Sequence, residues 1–321
     1  MTASILKRIE AGRRFLVASH EGPDGDAIAS TLALTCALRE MGKEVVAFNP
    51  DPVPDTLVFL PGADSMVCSL DDAEPFDIGF VLDAGELRRA GGEQVRSACA
   101  CLANIDHHPH SEKFGEFHLV DDKASATGAL VYRLLTACGH PISLDVATCI
   151  YAAILADTGS FRYANADKEA FSVAGKMIDL GVNPWDVSCA LYENQSEARL
   201  RLLGEVLPTL EISSCGRLAS VCVTLEMMNR SSAGPEHTDG FINFPRSVAG
   251  VEVALFFREL EEDRFKVGFR SKGKVDVGGL SRALGGGGHY NAAGAVVDGD
   301  IDQVKSSVLG LLDNLMESPC R

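Results

Sequence analysis

Three titratable side chains follow one another directly after an apolar run of the sequence. Asp106, His107 and His108 come after residues 98–105, a stretch typical of a buried strand. Burying such polar groups without partners is unfavourable by several kcal/mol, so a packing role does not explain them. The trio instead predicts half of a metal site.

Further carboxylates and imidazoles stand at the ends of predicted strands and helices. They are His20, Asp24, Asp26, Asp83 and Asp157. Ligands of open parallel sheets gather outside the carboxyl ends of the strands, so we expect these side chains to share one rim. Asp and neutral His ligands without thiolates favour manganese or magnesium over zinc.

So many ligands exceed what one ion needs. Two ions roughly 3.5 to 4 Å apart, sharing one carboxylate, would use them and would clamp the attacking and leaving oxygens of a phosphoryl displacement. Asp83 is the natural shared ligand, because it is a single acid at the end of a central strand. Taken alone, Asp24 and Asp26 read equally well as turn or cap residues, and His20 as an ordinary polar residue. Their joint placement on one rim favours the metal site.

Alternating strands and helices up to about residue 157 position these groups. A strand at 14–19, a helix that Asp26 caps and Gly42 ends, and a strand at 44–48 form a right-handed crossover unit, which predicts a parallel sheet. We expect Ser125-Ala126-Thr127 to cap a later helix.

The pattern changes to alternating strand-like runs after about residue 208. The sequence therefore predicts an α/β protein with a parallel-sheet N-terminal domain at 1–190, a connector helix at 191–208 and a smaller mixed-sheet α/β domain at 209–321. The last helix is predicted over 301–316.

Composition narrows the function classes. The 321 residues carry a net charge of −16, which disfavours binding to long nucleic acid, including long duplexes. No apolar run is long enough to cross a membrane or to form a signal-peptide core, so we expect a cytoplasmic location and no membrane partner. The ten cysteines include no Cys-x-x-Cys pair, which argues against a thiolate zinc site and a disulfide framework and favours reduced thiols.

These motifs resemble a known family. His20-x3-Asp24-x-Asp26, Asp83, Asp106-His107-His108 and Asp157 resemble the four motifs of the DHH phosphoesterase superfamily. Residues 286–294, Gly-Gly-Gly-His-Tyr-Asn-Ala-Ala-Gly, resemble the GGGH-x2-AAG signature of its DHH-associated C-terminal domain. Length and layout are similar to the branch of oligoribonucleases and 3′-phosphoadenosine-5′-phosphate phosphatases. One departure is Gly128-Ala129 after Thr127, where many relatives have an acid.

The resemblance implies a role for each residue. One metal would be held by His20, Asp24 and Asp83, and the other by Asp26, Asp83, His107 and Asp157. His108 would face the substrate, and Asp106 would orient His107. The cofactors implied are two divalent ions, with manganese first and magnesium or cobalt as alternatives. The active site is expected in a cleft between the two domains.

The second domain is expected to hold the substrate. Gly286, Gly287 and Gly288 predict a nest of free amides for phosphate, which His289 would complete. Residues 241–290 hold eight Lys/Arg against six acids, a local excess of basic residues. Within it, Arg270 is the first choice for a phosphate fork and Arg246 the second.

The expected activity is hydrolysis of very short oligoribonucleotides and linear dinucleotides to 5′-mononucleotides, and of phosphoadenosine phosphate to AMP. Two alternatives stay open. One is a single-strand exonuclease that prefers longer strands, and the other is a nucleotide-sensing module with weak hydrolysis. The oligomeric state is open as well, with a homodimer as one option.

Overall fold

The computed structural model describes residues 2–71 and 73–312, and the chain divides into two compact units between Asn194 and Gln195. Each unit has its own sheet and its own hydrophobic core. The helix predicted as a connector groups with the second unit.

The first unit is built on a six-stranded sheet in the order β3-β2-β1-β4-β5-β6. Its strands are β1 Arg14–Ala18, β2 Glu44–Phe48, β3 Met66–Val67, β4 Ile78–Leu82, β5 Leu102–Asp106 and β6 Phe117–Val120. Every pair of neighbours is parallel. The predicted parallel sheet is therefore confirmed, and β1, β4 and β5 are adjacent at its centre.

Seven α-helices accompany this sheet within the described residues. They are α1 Thr2–Ala11, α2 Gly25–Glu40, α3 Gly92–Ala98, α4 Thr127–Ala137, α5 Leu144–Asp157, α6 Lys168–Asp179 and α7 Pro184–Tyr192. The N-cap predicted for α2 is wrong. Asp24, not Asp26, is in the extended cap conformation and accepts a hydrogen bond from the Ala27 amide at 3.0 Å. Asp26 lies in the first turn and is buried.

Close packing joins α2 and α4 to α5. A Cβ atom added to Gly25 would lie 2.5 Å from the Ala156 Cβ, and one added to Gly128 would lie 2.4 Å from the Ala153 Cβ. Neither position has room for a side chain. The three helices therefore approach one another more closely than larger residues would allow, and Asp26 and Asp157 lie at their ends.

The second unit has a six-stranded mixed sheet in the order β11-β12-β10-β9-β8-β7. The strands are β7 Glu211–Ile212, β8 Leu218–Val223, β9 Val253–Glu261, β10 Arg264–Ser271, β11 Gly287–His289 and β12 Ala292–Asp298. Only the β8–β9 pair of this described sheet is parallel. The mixed sheet of the second domain is confirmed.

Five α-helices are described in this unit. They are α8 Glu197–Val206, α9 Leu225–Arg230, α10 Asn243–Ser247, α11 Val277–Ala283 and α12 Ile301–Leu312. α12 packs Val304, Val308 and Leu312 into the core, and the predicted continuation to residue 316 lies outside the described residues.

Two further expectations concern the chain as a whole. Eight cysteines carry free thiols, but Cys215 is disulfide-bonded, so the expectation of reduced cysteines is wrong at that residue. Among the helices described, none has the length and apolar character needed to cross a membrane.

Candidate metal centre

The predicted metal ligands of the first unit meet at one edge of its sheet. His20 follows β1, Asp83 follows β4 directly, and Asp106 is the last residue of β5. Because these three strands are adjacent and parallel, their carboxyl ends open at the same place. The fold thus brings together groups that are more than 80 residues apart in sequence.

Asp83 is central to this group. Its carboxylate is buried and lies 3.8 Å from His20 Nε2 through Oδ2 and 3.5 Å from His107 Nε2 through Oδ1. The Thr127 hydroxyl donates to Oδ1 over 3.0 Å. The backbone at Asp83 has φ 57°, in the left-handed region that non-glycine residues rarely adopt. Such strained conformations cluster at functional sites.

One cluster consists of His20, Asp24 and Asp83, whose ligand atoms lie within 4.8 Å of one another. His20 Nε2 is 4.0 Å from Asp24 Oδ1, while Nδ1 is 2.8 Å from the Glu21 carbonyl. When Nδ1 donates to this carbonyl, the lone pair of Nε2 is directed toward the acids. This tautomer is the one that a metal ligand needs.

A second cluster consists of Asp26, His107 and Asp157. His107 Nε2 lies 3.8 Å from Asp26 Oδ2 and 3.8 Å from Asp157 Oδ2. Its Nδ1 is 3.1 Å from the Ala124 carbonyl, which fixes the ring with Nε2 toward the acids. The prediction that Asp106 orients His107 is therefore wrong, because a backbone carbonyl takes that part.

Asp106 orients His108 instead. Its fully buried carboxylate accepts from the His108 backbone amide over 3.1 Å and lies 2.6 Å from His108 Nδ1. The Gly85 amide and the Ser111 hydroxyl donate to its other oxygen over 2.9 and 2.5 Å. Burial alone would raise the pKa of Asp106, but the hydrogen bonds and charge of His108 outweigh it and lower the pKa to about 2. Asp106 is thus ionised at neutral pH.

The pKa values of three other acids of the site are shifted in the opposite direction. Burial raises the pKa of Asp26 to about 7 and that of Asp157 to about 6, and His107 offsets part of each shift. Burial, followed by the charge of Asp26, also holds the pKa of Asp83 well above its usual range. For His20, burial lowers the pKa. Closely spaced acids and imidazoles, with oxygen and nitrogen donors and no thiolate, fit hard to borderline divalent cations.

The start of α4 holds Asp26 in place. The backbone amides of Thr127 and Gly128 donate to the two oxygens of Asp26 over 2.6 and 3.0 Å. The prediction that Ser125-Ala126-Thr127 caps this helix is wrong, because the cap residue is Ala126 and its side chain makes no cap bond. Asp26 supplies the acceptor instead. Gly128 stands where many relatives have an acid. Its amide bonds Asp26, and there is no space for a Cβ atom at this position, which together explain the glycine.

Several functional contacts were missed from the sequence. The Thr127 hydroxyl donates a hydrogen bond to Asp83, and Asn165 Nδ2 donates to Asp157 Oδ2 over 2.9 Å. Arg89 Nη2 lies 3.0 Å from His20 Nδ1. Thr127 carried a signal, because it immediately precedes the anomalous Gly128. Asn165 and Arg89 had none, since Asn165 lies in an irregular segment and Arg89 in a short 3-10 helix, and the position of each depends on tertiary packing.

The remaining predicted residues belong to the second unit. Arg270 is half-buried near the end of β10, with Nη1 bonded to the Phe269 carbonyl at 3.0 Å, and Arg246 lies in α10. The backbone of His289 ends β11, and its side chain lies outside what the structure describes.

The glycines before His289 are part of the sheet. Gly287 and Gly288 pair with β12, and a Cβ atom added to Gly286 would lie 2.3 Å from the Gly294 carbonyl oxygen. The Gly286 amide donates to the Ser281 carbonyl over 2.8 Å, so a nest of free amides is wrong at that residue. At Gly286, close backbone packing is the reason for glycine.

Comparison with known proteins gives consistent matches along the chain. The model of the DHH family N-terminal domain matches residues 14–154, and the DHHA1 domain model matches residues 220–317. The bifunctional oligoribonuclease and PAP phosphatase NrnA of Thermus thermophilus is 36% identical over 310 residues, covering 96% of this chain and 91% of that protein. The Bacillus subtilis protein of the same name is 28% identical over 302 residues, covering 92% and 93%.

A solved structure matches as well. An exopolyphosphatase-related protein from Bacteroides fragilis has a TM-score of 0.92 and 28% sequence identity, covering 98% of this chain and 95% of that one.

Proposed function

Because this chain belongs to the DHH family, we propose that it is a phosphoesterase that hydrolyses very short oligoribonucleotides and linear dinucleotides to 5′-mononucleotides and phosphoadenosine phosphate to AMP. The observation that carries the proposal is the set of three neighbouring histidine–aspartate clusters, which are His20-Asp24-Asp83, Asp83-His107-His108 and Asp26-His107-Asp157. Its substrate classes follow the names of the Thermus and Bacillus relatives, which match over nearly the whole chain.

Two divalent ions would be held by the chain's own oxygen and nitrogen donors. His20, Asp24 and Asp83 would hold one, and Asp26, Asp83, His107 and Asp157 the other. When bound, the ions supply positive charge that stabilises negative charge developing on the phosphoryl oxygens. We propose manganese as the ion used, with magnesium or cobalt as alternatives.

His108 would transfer a proton to the leaving oxygen. Asp106 fixes its Nδ1 at 2.6 Å, so Nε2 is the nitrogen that exchanges a proton with the leaving oxygen. Thr127 and the Ala124 carbonyl keep Asp83 and His107 in their orientations while this happens.

The second unit would bind the rest of the substrate. Arg270, and next Arg246, would contact a second phosphate, together with His289, Gly286, Gly287 and Gly288. The net charge of −16 favours substrates of a few nucleotides over long strands. The cleft between the domains and a homodimer stay predictions.

Product analysis tests the proposal. Purified protein with manganese is incubated with 5′-phosphorylated di- to decaribonucleotides, linear and cyclic dinucleotides and phosphoadenosine phosphate. We expect mononucleotides fastest from the shortest strands, and AMP from phosphoadenosine phosphate. Asp83→Asn should be inactive, while Asp122→Asn, which removes an exposed acid of the same unit, should behave as wild type. Survival of both the short oligonucleotides and phosphoadenosine phosphate contradicts the assignment, and a strong preference for the longest strands indicates the alternative exonuclease.

A further inference from the structure

Arg89 lies against His20 in the segment that follows β4. Its Nη2 is 3.0 Å from His20 Nδ1, and its Nη1 donates to the Ala84 carbonyl over 3.1 Å. The backbone fixes this position, because the Glu21 amide donates to the Arg89 carbonyl over 2.6 Å. The guanidinium is therefore held beside the first metal cluster without belonging to it.

The contact with His20 does not satisfy Arg89. A His20 that binds a metal through Nε2 carries its hydrogen on Nδ1 and donates it to the Glu21 carbonyl at 2.8 Å, so Nδ1 cannot then accept from a guanidinium. Arginine stays protonated and has only donors. Among the described residues, Nη2 of Arg89 thus faces a neighbour that cannot accept its hydrogens. An anionic acceptor from the substrate would complete this arrangement.

Arg89 also lies near His108, the proposed proton donor. A Cβ atom built on Gly85 would lie 4.0 Å from Arg89 Nη1 and 4.0 Å from His108 Cγ, so these two atoms are at most 8.0 Å apart. Glycine leaves the space between them open. Arg89 and His108 are thus close enough for one phosphoryl group to accept hydrogen bonds of about 2.8 Å from both side chains.

Charge favours the same conclusion. Two divalent ions would cancel the four carboxylates of the clusters, which are Asp24, Asp26, Asp83 and Asp157. A phosphodiester then adds a charge of about −1 and a phosphomonoester up to about −2. The guanidinium of Arg89 supplies positive charge at that point, with a planar fork that matches phosphoryl oxygens.

We propose that Arg89 is a catalytic residue whose guanidinium donates to a non-bridging oxygen of the scissile phosphoryl group. The inference rests on the proposed function and deepens it by adding a substrate contact within the first unit. A positioning role, in which Arg89 only holds His20, is the competing explanation.

The test compares Arg89→Ala and Arg89→Lys with Arg88→Ala. Arg88 is the adjacent arginine, its side chain is 75% exposed, and it pairs with Glu86 and Glu21 at the surface. For each protein, calorimetry gives the affinity for manganese alone and for inorganic phosphate in the presence of manganese. Thermal unfolding reports folding, and kcat/KM is measured on a linear dinucleotide.

We expect Arg89→Ala to bind manganese within about threefold of wild type and phosphate about 10- to 100-fold more weakly, as for one lost charge-assisted hydrogen bond. Its kcat/KM should fall at least as much, Arg89→Lys should lie between, and Arg88→Ala should match wild type. A manganese affinity that falls as far as the phosphate affinity overturns the substrate contact in favour of positioning. Unchanged phosphate affinity in folded Arg89→Ala and Arg89→Lys, or no phosphate binding by wild type, also overturns it. Wild-type protein that binds phosphate but hydrolyses no phosphoester contradicts the proposed function alone, because the binding difference at Arg89 is still measured.

Discussion

Replacing Gly128 with alanine should destabilise the first unit although alanine is the better helix former. At an exposed helical position the change gains up to about 1 kcal/mol. At Gly128 the new Cβ atom would lie 2.4 Å from the Ala153 Cβ, against about 3.5 to 4 Å for ordinary carbon contacts. α4 and α5 must therefore separate by more than about 1 Å, and overpacking of this kind costs about 1–3 kcal/mol.

The same movement disturbs the bond from the Gly128 amide to Asp26, and an ordinary hydrogen bond contributes about 0.5–1.5 kcal/mol. The opposing terms leave a net loss of about 2 kcal/mol. For a unit the size of Met1–Asn194, this loss lowers the Tm by about 4–8 °C. Urea and thermal unfolding measure it, and manganese affinity should fall with it.

Two further variants separate packing from other causes. Gly175→Ala in α6 is the matched control, because nothing lies within 4 Å of a Cβ atom there, and it should be neutral or stabilising. Ala153→Gly moves the open space to the other helix, so the double variant with Gly128→Ala should be more stable than Gly128→Ala alone. A Gly128→Ala protein as stable as wild type, or a double variant that simply adds both losses, refutes the reasoning.

Three more predictions concern the metal centre. His107→Ala should lose one manganese site in calorimetric titration and most of the activity. The control His118→Ala, which changes a histidine on β6, should keep both manganese sites and full activity. Two intact manganese sites in His107→Ala would contradict the assignment. Thr127→Val should lower manganese affinity more than Thr127→Ser, because only serine keeps a hydroxyl near Asp83, and equal affinities would rule out the hydroxyl bond as the cause. Since the pKa of Asp26 is about 7 in the folded metal-free protein against an ordinary 3.8, the folded state holds a proton that the unfolded chain has released. Its contribution to metal-free stability should therefore be present at low pH and be lost as pH rises from about 4 through 7, and manganese affinity should rise over the same range. Urea unfolding of wild type and Asp26→Asn across that range checks this, and parallel pH profiles of the two proteins would contradict it.

The parallel sheet and the edge where the ligands meet could be predicted because they follow from local signals. Short apolar runs ended by His20, Asp83 and Asp106 gave strand positions, and parallel connection places strand ends together. Which donor bonds which acceptor could not be predicted. Asp24 and Asp26 both fit the rule for an N-cap, and only the burial of Asp26 under α4 separates them.

The partners of the histidines were beyond sequence reasoning for a related reason. His107 is oriented by the Ala124 carbonyl, 17 residues along the chain, and His108 by Asp106, although Asp106 is adjacent to His107 in sequence. Every residue has a backbone carbonyl, so residue type does not predict which carbonyl accepts from His107. Asp106, whose side chain is an evident acceptor, was therefore assigned to His107 instead of His108. Gly286 shows the same limit, because glycine is compatible with a free loop and with tight strand packing alike.

The left-handed backbone of Asp83 bears on how this protein could change over time. Glycine adopts that conformation without strain, and it would also remove a buried carboxylate whose burial is unfavourable. Asp83→Gly should therefore give an inactive protein that is as stable as the metal-free wild type or more so. Asp83 would bind the metals but lowers the stability of the metal-free protein, so selection for stability alone would replace this shared ligand first. The aspartate at position 83 is thus better explained by the proposed role as a metal ligand than by stability.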